Sequence, residues 1–216
     1  MRWRLVTLLL AALCAFPATV RADSFDPVSF GAQVSTLGYG LTLERPLLFD
    51  LSVRVATGAL SASERGTISS NAWEATFQEN NVLLAADWRP YGGRWRLSGG
   101  LLFGTDHVNY AAQPGGANYD LNGHFYPVTG AGAVTGQVSY AHPALYFGAG
   151  GGTGLYKGLT LAFQAGFVLR SGTATIGATG PLQNNAQFQS DLDETATHFR
   201  TRFVQPVVGV GLVFRP

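Results

Sequence analysis

Leu159-Thr160-Leu161-Ala162-Phe163-Gln164-Ala165-Gly166-Phe167-Val168-Leu169-Arg170 separates into two faces when every second residue is taken. Leu159, Leu161, Phe163, Ala165, Phe167 and Leu169 make one face. Thr160, Ala162, Gln164, Gly166, Val168 and Arg170 make the other. Period two is the β-strand period, because successive side chains leave opposite sides of the pleat. The second face is small and carries a single charge, whereas a soluble sheet this long would usually set Lys, Glu or Asp against water. A small polar face suits the lining of a narrow barrel, and the apolar face suits lipid. A lipocalin-like strand alternates too, with the faces exchanged, so the rest of the chain has to decide.

Composition favours the membrane. Charged residues make up 12% of the 216, about half of the roughly 25% usual in soluble domains. Hydrophobic content is an ordinary 46%, with 28 glycines; a transmembrane barrel looks like this because only alternate strand residues must be apolar. A net charge of +1, with Lys157 the only lysine, gives no reason to expect nucleic acid. After residue 23 no apolar run approaches the roughly 20 residues of a membrane-spanning helix.

The first residues read as a targeting segment. Arg2 and Arg4 form a positive start, residues 5–16 an apolar core, and Val20-Arg21-Ala22 a small-residue cleavage site. Residues 1–22 are therefore expected to be a signal peptide removed near Ala22. Residues 23–216 then form one β-barrel domain without cysteine, since Cys14 lies in the leader.

Eight alternating segments follow. The first three run from Val28 to Ser35, from Tyr39 to Glu44 and from Leu51 to Ala56. The next three end at Trp88, start at Arg94, and span residues 134–150 with a change of parity at His142-Pro143 that fits a β-bulge. The opening stretch is the seventh and residues 199–214 the eighth. Short turns are expected at residues 46–49, 90–93 and 151–158, and long loops at 57–71, 111–133 and 175–197. Alternating short and long connections are the periplasmic turns and external loops of a transmembrane barrel. Trp88, Tyr91, Trp95 and Tyr156 fall beside the short turns, where an aromatic girdle belongs. Glu44, Arg54, Asp87, Arg96 and Arg170 fall on the interior parity. Closing the hairpin at Pro90 sets Asp87 opposite Arg96, with Glu44 and Arg54 at diagonal reach, so these charges are read as structural interior pairs.

Three stretches carry a family likeness: Val34-Ser35-Thr36-Leu37-Gly38-Tyr39-Gly40-Leu41, Leu83-Leu84-Ala85-Ala86-Asp87-Trp88-Arg89-Pro90-Tyr91-Gly92-Gly93, and Pro206-Val207-Val208-Gly209-Val210-Gly211-Leu212-Val213-Phe214-Arg215. The chain resembles the small eight-stranded outer-membrane β-barrel proteins of Gram-negative bacteria, the OmpA/OmpX-like superfamily. That resemblance implies an all-β, antiparallel up-and-down transmembrane barrel, assembled by the barrel-assembly machinery, facing outer-membrane lipids and lipopolysaccharide. Such proteins usually end in an aromatic residue; here Phe214 is followed by Arg215-Pro216.

Some small outer-membrane barrels act on lipid A, which would require a Ser, a His and a carboxylate at one rim. Ser139 and His142 are three residues apart and point to opposite faces unless a bulge realigns them. His107 beside Asp106, and His124 in a loop, read as solvated rim histidines. His198-Phe199-Arg200 lacks the spacing of the lipid A deacylases. Asp191, Asp193 and Glu194 lack the spacing of a calcium loop. The glycine runs at 130–136 and 148–154 do not match a nucleotide-binding pattern.

The expectation is a non-enzymatic, monomeric outer-membrane barrel without cofactor or metal, serving envelope structure or surface interaction through its external loops. A lipid A acyl-modifying enzyme, a narrow low-conductance pore and a soluble periplasmic barrel for a lipophilic ligand are the alternatives.

Overall fold

The computed structural model describes residues 28–48, 50–68, 71–90, 94–113, 118–121, 123–198 and 202–216. The expected signal peptide and Tyr91 lie outside them. Strands β1 (Ser29–Ser35), β2 (Gly38–Leu48), β3 (Leu51–Ile68), β4 (Asn71–Trp88) and β5 (Trp95–Gln113) pair antiparallel in sequence order. A small hairpin, β6 (Asn118–Leu121) with β7 (His124–Pro127), and one helical turn, α1 (Val128–Ala131), follow. β8 (Val134–Tyr140) and β9 (Ala144–Tyr156) lie end to end as a single stave against β5. β10 (Leu159–Ala178) leads through a 3₁₀ turn (Pro181–Asn184) into helix α2 (Ala186–His198). β11 (Arg202–Phe214) pairs with β10 on one side and β1 on the other, Phe214 standing beside both Leu159 and Phe30. The sheet closes on itself as an antiparallel ring of eight staves.

The reversal between β1 and β2 takes two residues, Thr36 and Leu37. Gly38 follows at φ 104°, and a Cβ there would lie on the Ala59 carbonyl. Only glycine meets both demands.

Apolar residues change sides partway up the wall. In the lower part Leu97, Leu101 and Phe103 of β5, Phe147 of β9 and Phe163, Phe167 and Leu169 of β10 are exposed on the outside. Higher on the same strands the outside is polar. His107 Nε2 and Gln78 Oε1 meet there at 2.8 Å, and Gln137 Nε2 donates to Asn109 Oδ1 at 2.9 Å. At that height the apolar residues Val108, Val138 and Ala174 are inside. A lipid-embedded wall must be greasy outward, while a wall standing in water must be greasy inward. The switch marks the membrane surface.

That switch corrects the reading of stave six. Its parity does not change at His142-Pro143: Val138 and Ala144 both face inward. Against β5 the register stays in step, with Leu102 beside Ala144 and His107 beside Ser139. Only against β10 does it slip, where Leu169 faces Leu145 and Gly172 faces Tyr140. The apparent parity change was the change of outer solvent.

The same effect hid the length of the strands. Residues 57–71, expected as a loop, are mostly the upper halves of β3 and β4, paired up to Ile68 and Asn71. Residues 111–133 hold the end of β5, the β6–β7 hairpin and α1, and 175–197 hold the end of β10, the 3₁₀ turn and most of α2. β2 runs through Pro46 to Leu48 with a register shift between those two residues, so the expected turn at 46–49 starts later.

Helix α2 is capped by Asn185, whose Oδ1 accepts the backbone N–H groups of Gln187 and Phe188 at 3.0 and 3.1 Å. Phe188, Leu192 and Ala196, four residues apart, form its buried face. Phe188 and Leu192 close over the outer rim with Trp73, Tyr119, Leu121, Ala131 and Val134, while Ala196 packs lower, on Val108, Val138 and Ala174. The described segments leaving the outer end are thus a folded cap. No helix among the described residues is long and apolar enough to cross a membrane.

Candidate functional site: the layered lumen and its cap

The lumen is built in layers because every second residue of each stave points into it. The lowest layer is charged. Arg54 of β3 donates from Nε to Asp87 Oδ2 at 2.7 Å and from Nη2 to Oδ1 at 3.3 Å, the two-pronged geometry a guanidinium is shaped for. Its Nη1 reaches Gln164 Oε1 at 3.3 Å. Glu44 accepts from Ser52 Oγ at 2.9 Å and pairs with Arg89. Arg96 stands 3.7 Å from Glu44 and 3.9 Å from Asp87.

Above this lies an apolar disc of Leu37, Ala56, Leu83, Ala85, Leu102, Ala144, Tyr146, Val168 and Val207, each no more than 5% exposed. Water does not reach these side chains, so they interrupt the lumen. A second charged layer follows. Arg170 Nη1 lies 2.9 Å from Asp106 Oδ2 and 3.7 Å from Glu79 Oε1, and its guanidinium sits 5.4 Å from the centre of the Tyr140 ring. His142 Nε2 is 3.2 Å from the same Asp106 oxygen. Gln205 donates to Glu79 at 3.3 Å.

The cap is stapled by one carboxylate. Asp191 of α2 accepts from the Tyr126 hydroxyl at 2.5 Å and meets His124 Nδ1 at 2.8 Å through the same oxygen; Gln187 Nε2 donates to the other at 3.0 Å. The Tyr126 hydroxyl bond, backed by His124 and Gln187, holds the Asp191 carboxyl below the usual carboxylate range. Burial and that same carboxylate push the Tyr126 phenol up to about 12.

Glu44, Arg54, Asp87, Arg96 and Arg170 all lie buried in the lumen, but with different partners from those the sequence suggested. Glu44 and Arg54 are directly paired in register, yet Glu44 turns to Ser52, Arg89 and Arg96 while Arg54 turns to Asp87. Asp87 faces Ser98, not Arg96, because six residues separate β4 from β5 and move the register by two. Arg89, Glu79, Asp106 and His142 were not read as interior charges, although Asp106 and His142 had been weighed as catalytic candidates. Extending the parity of Asp87 and Leu83 upward reaches Glu79, and that of Arg96 and Leu102 reaches Asp106, so the signal was present. Trp88, Trp95 and Tyr156 are exposed at the inner rim, Trp95 packing edge-on against Phe163 at 5.4 Å.

The candidate catalytic groups do not converge. Ser139 is exposed on the outer wall, while His142 faces Asp106 inside. His107 bonds Gln78 on the outside, and His124 belongs to the staple. Of the three acidic residues on α2, Asp191 is buried whereas Asp193 and Glu194 are exposed.

Two solved structures share this fold. Acinetobacter baumannii CarO2 superposes with a TM-score of 0.66 at 17% identity, over 90% of this chain and 100% of that one. Acinetobacter baumannii CarO gives 0.60 at 18% identity, over 88% and 98%. The chain has the CarO barrel fold. At these identities the likeness to the CarO structures is one of fold alone. No protein-family model matches the sequence, and no curated protein sequence does.

Proposed function

We propose that the protein is a non-enzymatic outer-membrane barrel with a closed lumen, acting at the cell surface through its folded cap. One observation carries this reading: the described parts of the outer connections pack around Trp73, Tyr119, Phe188 and Leu192 instead of splaying apart. An ordered cap over a lumen already interrupted by an apolar disc offers a fixed outer face and no water path beneath it. The narrow-pore alternative has that disc against it, and the lipid A enzyme alternative has the separation of Ser139 from His142.

In this reading the outward apolar belt meets outer-membrane lipid, and the polar collar above it meets the sugars of lipopolysaccharide. Residues 1–22 direct export, the barrel-assembly machinery inserts the chain, and the protein works as a monomer without cofactor or nucleic acid.

Protease treatment of intact cells, with the protein followed by heat-modifiable migration in outer-membrane fractions, tests the proposal. Cleavage confined to the cap is expected, with residues 89–94 protected. Cleavage at 89–94 on intact cells, or a protein that stays soluble without detergent, overturns it.

A further inference from the structure

Among the described residues, small side chains leave the inner end of the lumen open. Four successive inward positions of β9 are Gly148, Gly150, Gly152 and Gly154. Tyr146 folds its hydroxyl over Gly148, and a Cβ at Gly150 would come within 3.1 Å of Arg96 Nε. Gly152 and Gly154 border a cavity of ≈ 480 Å³ that opens at the inner rim. A Cβ at Gly154 would have nothing within 4 Å. A run of glycine in a strand commonly marks the approach of another group, and at Gly150 the Arg96 guanidinium is one of the groups approached. Arg89, Arg94, Arg96 and Arg215 line the cavity, with Glu44 the one acidic side chain among the described residues lining it.

The charges do not balance. Asp87 is taken by Arg54 and Glu44 by Arg89. Arg96, 9% exposed, is the third guanidinium against those two carboxylates; both stand 3.7 Å or more away, and its Nε has no hydrogen-bond partner. A buried charge left so loosely paired is costly. Arg94 and Arg215 add two exposed positive charges at the lip, Arg215 held by its Nε–H bond to Ser29 Oγ at 3.2 Å. Guanidinium groups converging on a sheltered cavity match the tetrahedral oxygens of phosphate, each able to donate two bonds. A carboxylate would return a single charge to this excess; a phosphate monoester or pyrophosphate returns two or more.

We propose that this vestibule binds a multivalent phosphate anion, with Arg96 donating from its floor and Arg94 and Arg215 closing over it from the lip. The outer-membrane reading above decides only which compartment the vestibule faces, not whether it binds. The phosphate would come from a soluble ester or from the monoester headgroup of a phosphatidate lipid entering past Tyr156, which lines the rim.

Isothermal titration of the purified full chain in nonionic detergent with inorganic pyrophosphate tests the site directly. One equivalent should bind, and Arg94→Ala/Arg215→Ala should weaken binding by about tenfold or more, the loss expected for charge-assisted bonds to a desolvated oxyanion. Gly154→Leu keeps every arginine and grows into open space, so it should weaken binding equally by filling the cavity. Heat-modifiable migration verifies that each variant is folded, and this readout does not depend on orientation in cells. Repeating the titration in nanodiscs containing phosphatidic acid separates the sources. Lost pyrophosphate binding there points to a headgroup already in place, and retained binding points to a soluble ester. Absence of binding in detergent, or equal binding by wild type and either variant, overturns the proposal.

Discussion

Arg170 of β10 and Asp106 of β5 form an ion pair across stave six, Nη1 to Oδ2 at 2.9 Å, although their strands are not neighbours in the ring. Both side chains are fully enclosed, at 1% and 0% exposure. Removing one partner leaves a buried charge, which typically costs about 3–5 kcal/mol. Asp106→Ala should therefore lower stability by about that much, and Arg170→Met/Asp106→Ala by clearly less than the sum of the single changes. Denaturant unfolding in detergent measures the cycle; strict additivity would show that the pair is not coupled.

The change of outer solvent predicts opposite tolerance at two positions on one face of β10. Ala165 lies in the apolar belt and Thr173 in the polar collar, both exposed outward. Ala165→Arg should cost about 2–4 kcal/mol of folding free energy in lipid bilayers, Thr173→Arg about 0–1. Equal costs at the two sites would place the membrane surface elsewhere.

The cap should loosen without the barrel. Phe188 is fully buried in the cap and stacks edge-on with Tyr126 at 4.8 Å. Phe188→Ala removes about 3–5 kcal/mol of packing, and it does so in a unit built mainly on local elements. Hydrogen exchange should rise in β6, β7 and α2 while β1, β2 and β11 keep their protection. A uniform rise throughout would mean that cap and barrel unfold together.

The staple sets a pH window. Asp191 has its folded pKa lowered, chiefly by the Tyr126 hydroxyl, so its contribution is complete above about pH 4, the unfolded value, and fades as pH falls through the folded one. Tyr126, raised to about 12 by burial and by Asp191, contributes fully below about pH 10 and loses that contribution as pH rises through the folded value. Pepsin cleavage of the cap should therefore increase between pH 4 and pH 2. Tyr126→Phe, which keeps the ring but removes the bond, should move that onset to higher pH.

The eight staves and the inside-out arrangement of Leu159–Arg170 were legible because lipid imposes a contrast on every second residue. Where the wall leaves the bilayer the contrast weakens and then inverts. Gly58–Ile68 of β3 therefore read as a loop, and Val138 appeared to break parity with Leu145. The partners of Glu44 and Asp87 were not legible for another reason: their choice depends on which of several arginines reaches furthest across the lumen, and alternation fixes only the side. Helix α2 left a local trace, Asn185 ahead of Phe188, Leu192 and Ala196, that the polar composition around it obscured.

The inversion of the wall has a mechanical consequence. Sinking the protein would draw Ser171, Thr173 and Gln137 into hydrocarbon, and lifting it would bring Phe103, Leu169 and Val204 into water. Either displacement is opposed from every side of the ring, so the collar and belt act as a flange that fixes the barrel at one depth. When the surrounding bilayer is thicker or thinner than the belt, the lipid must stretch or pinch at the wall, because a closed cylinder with a fixed depth has little other adjustment to make.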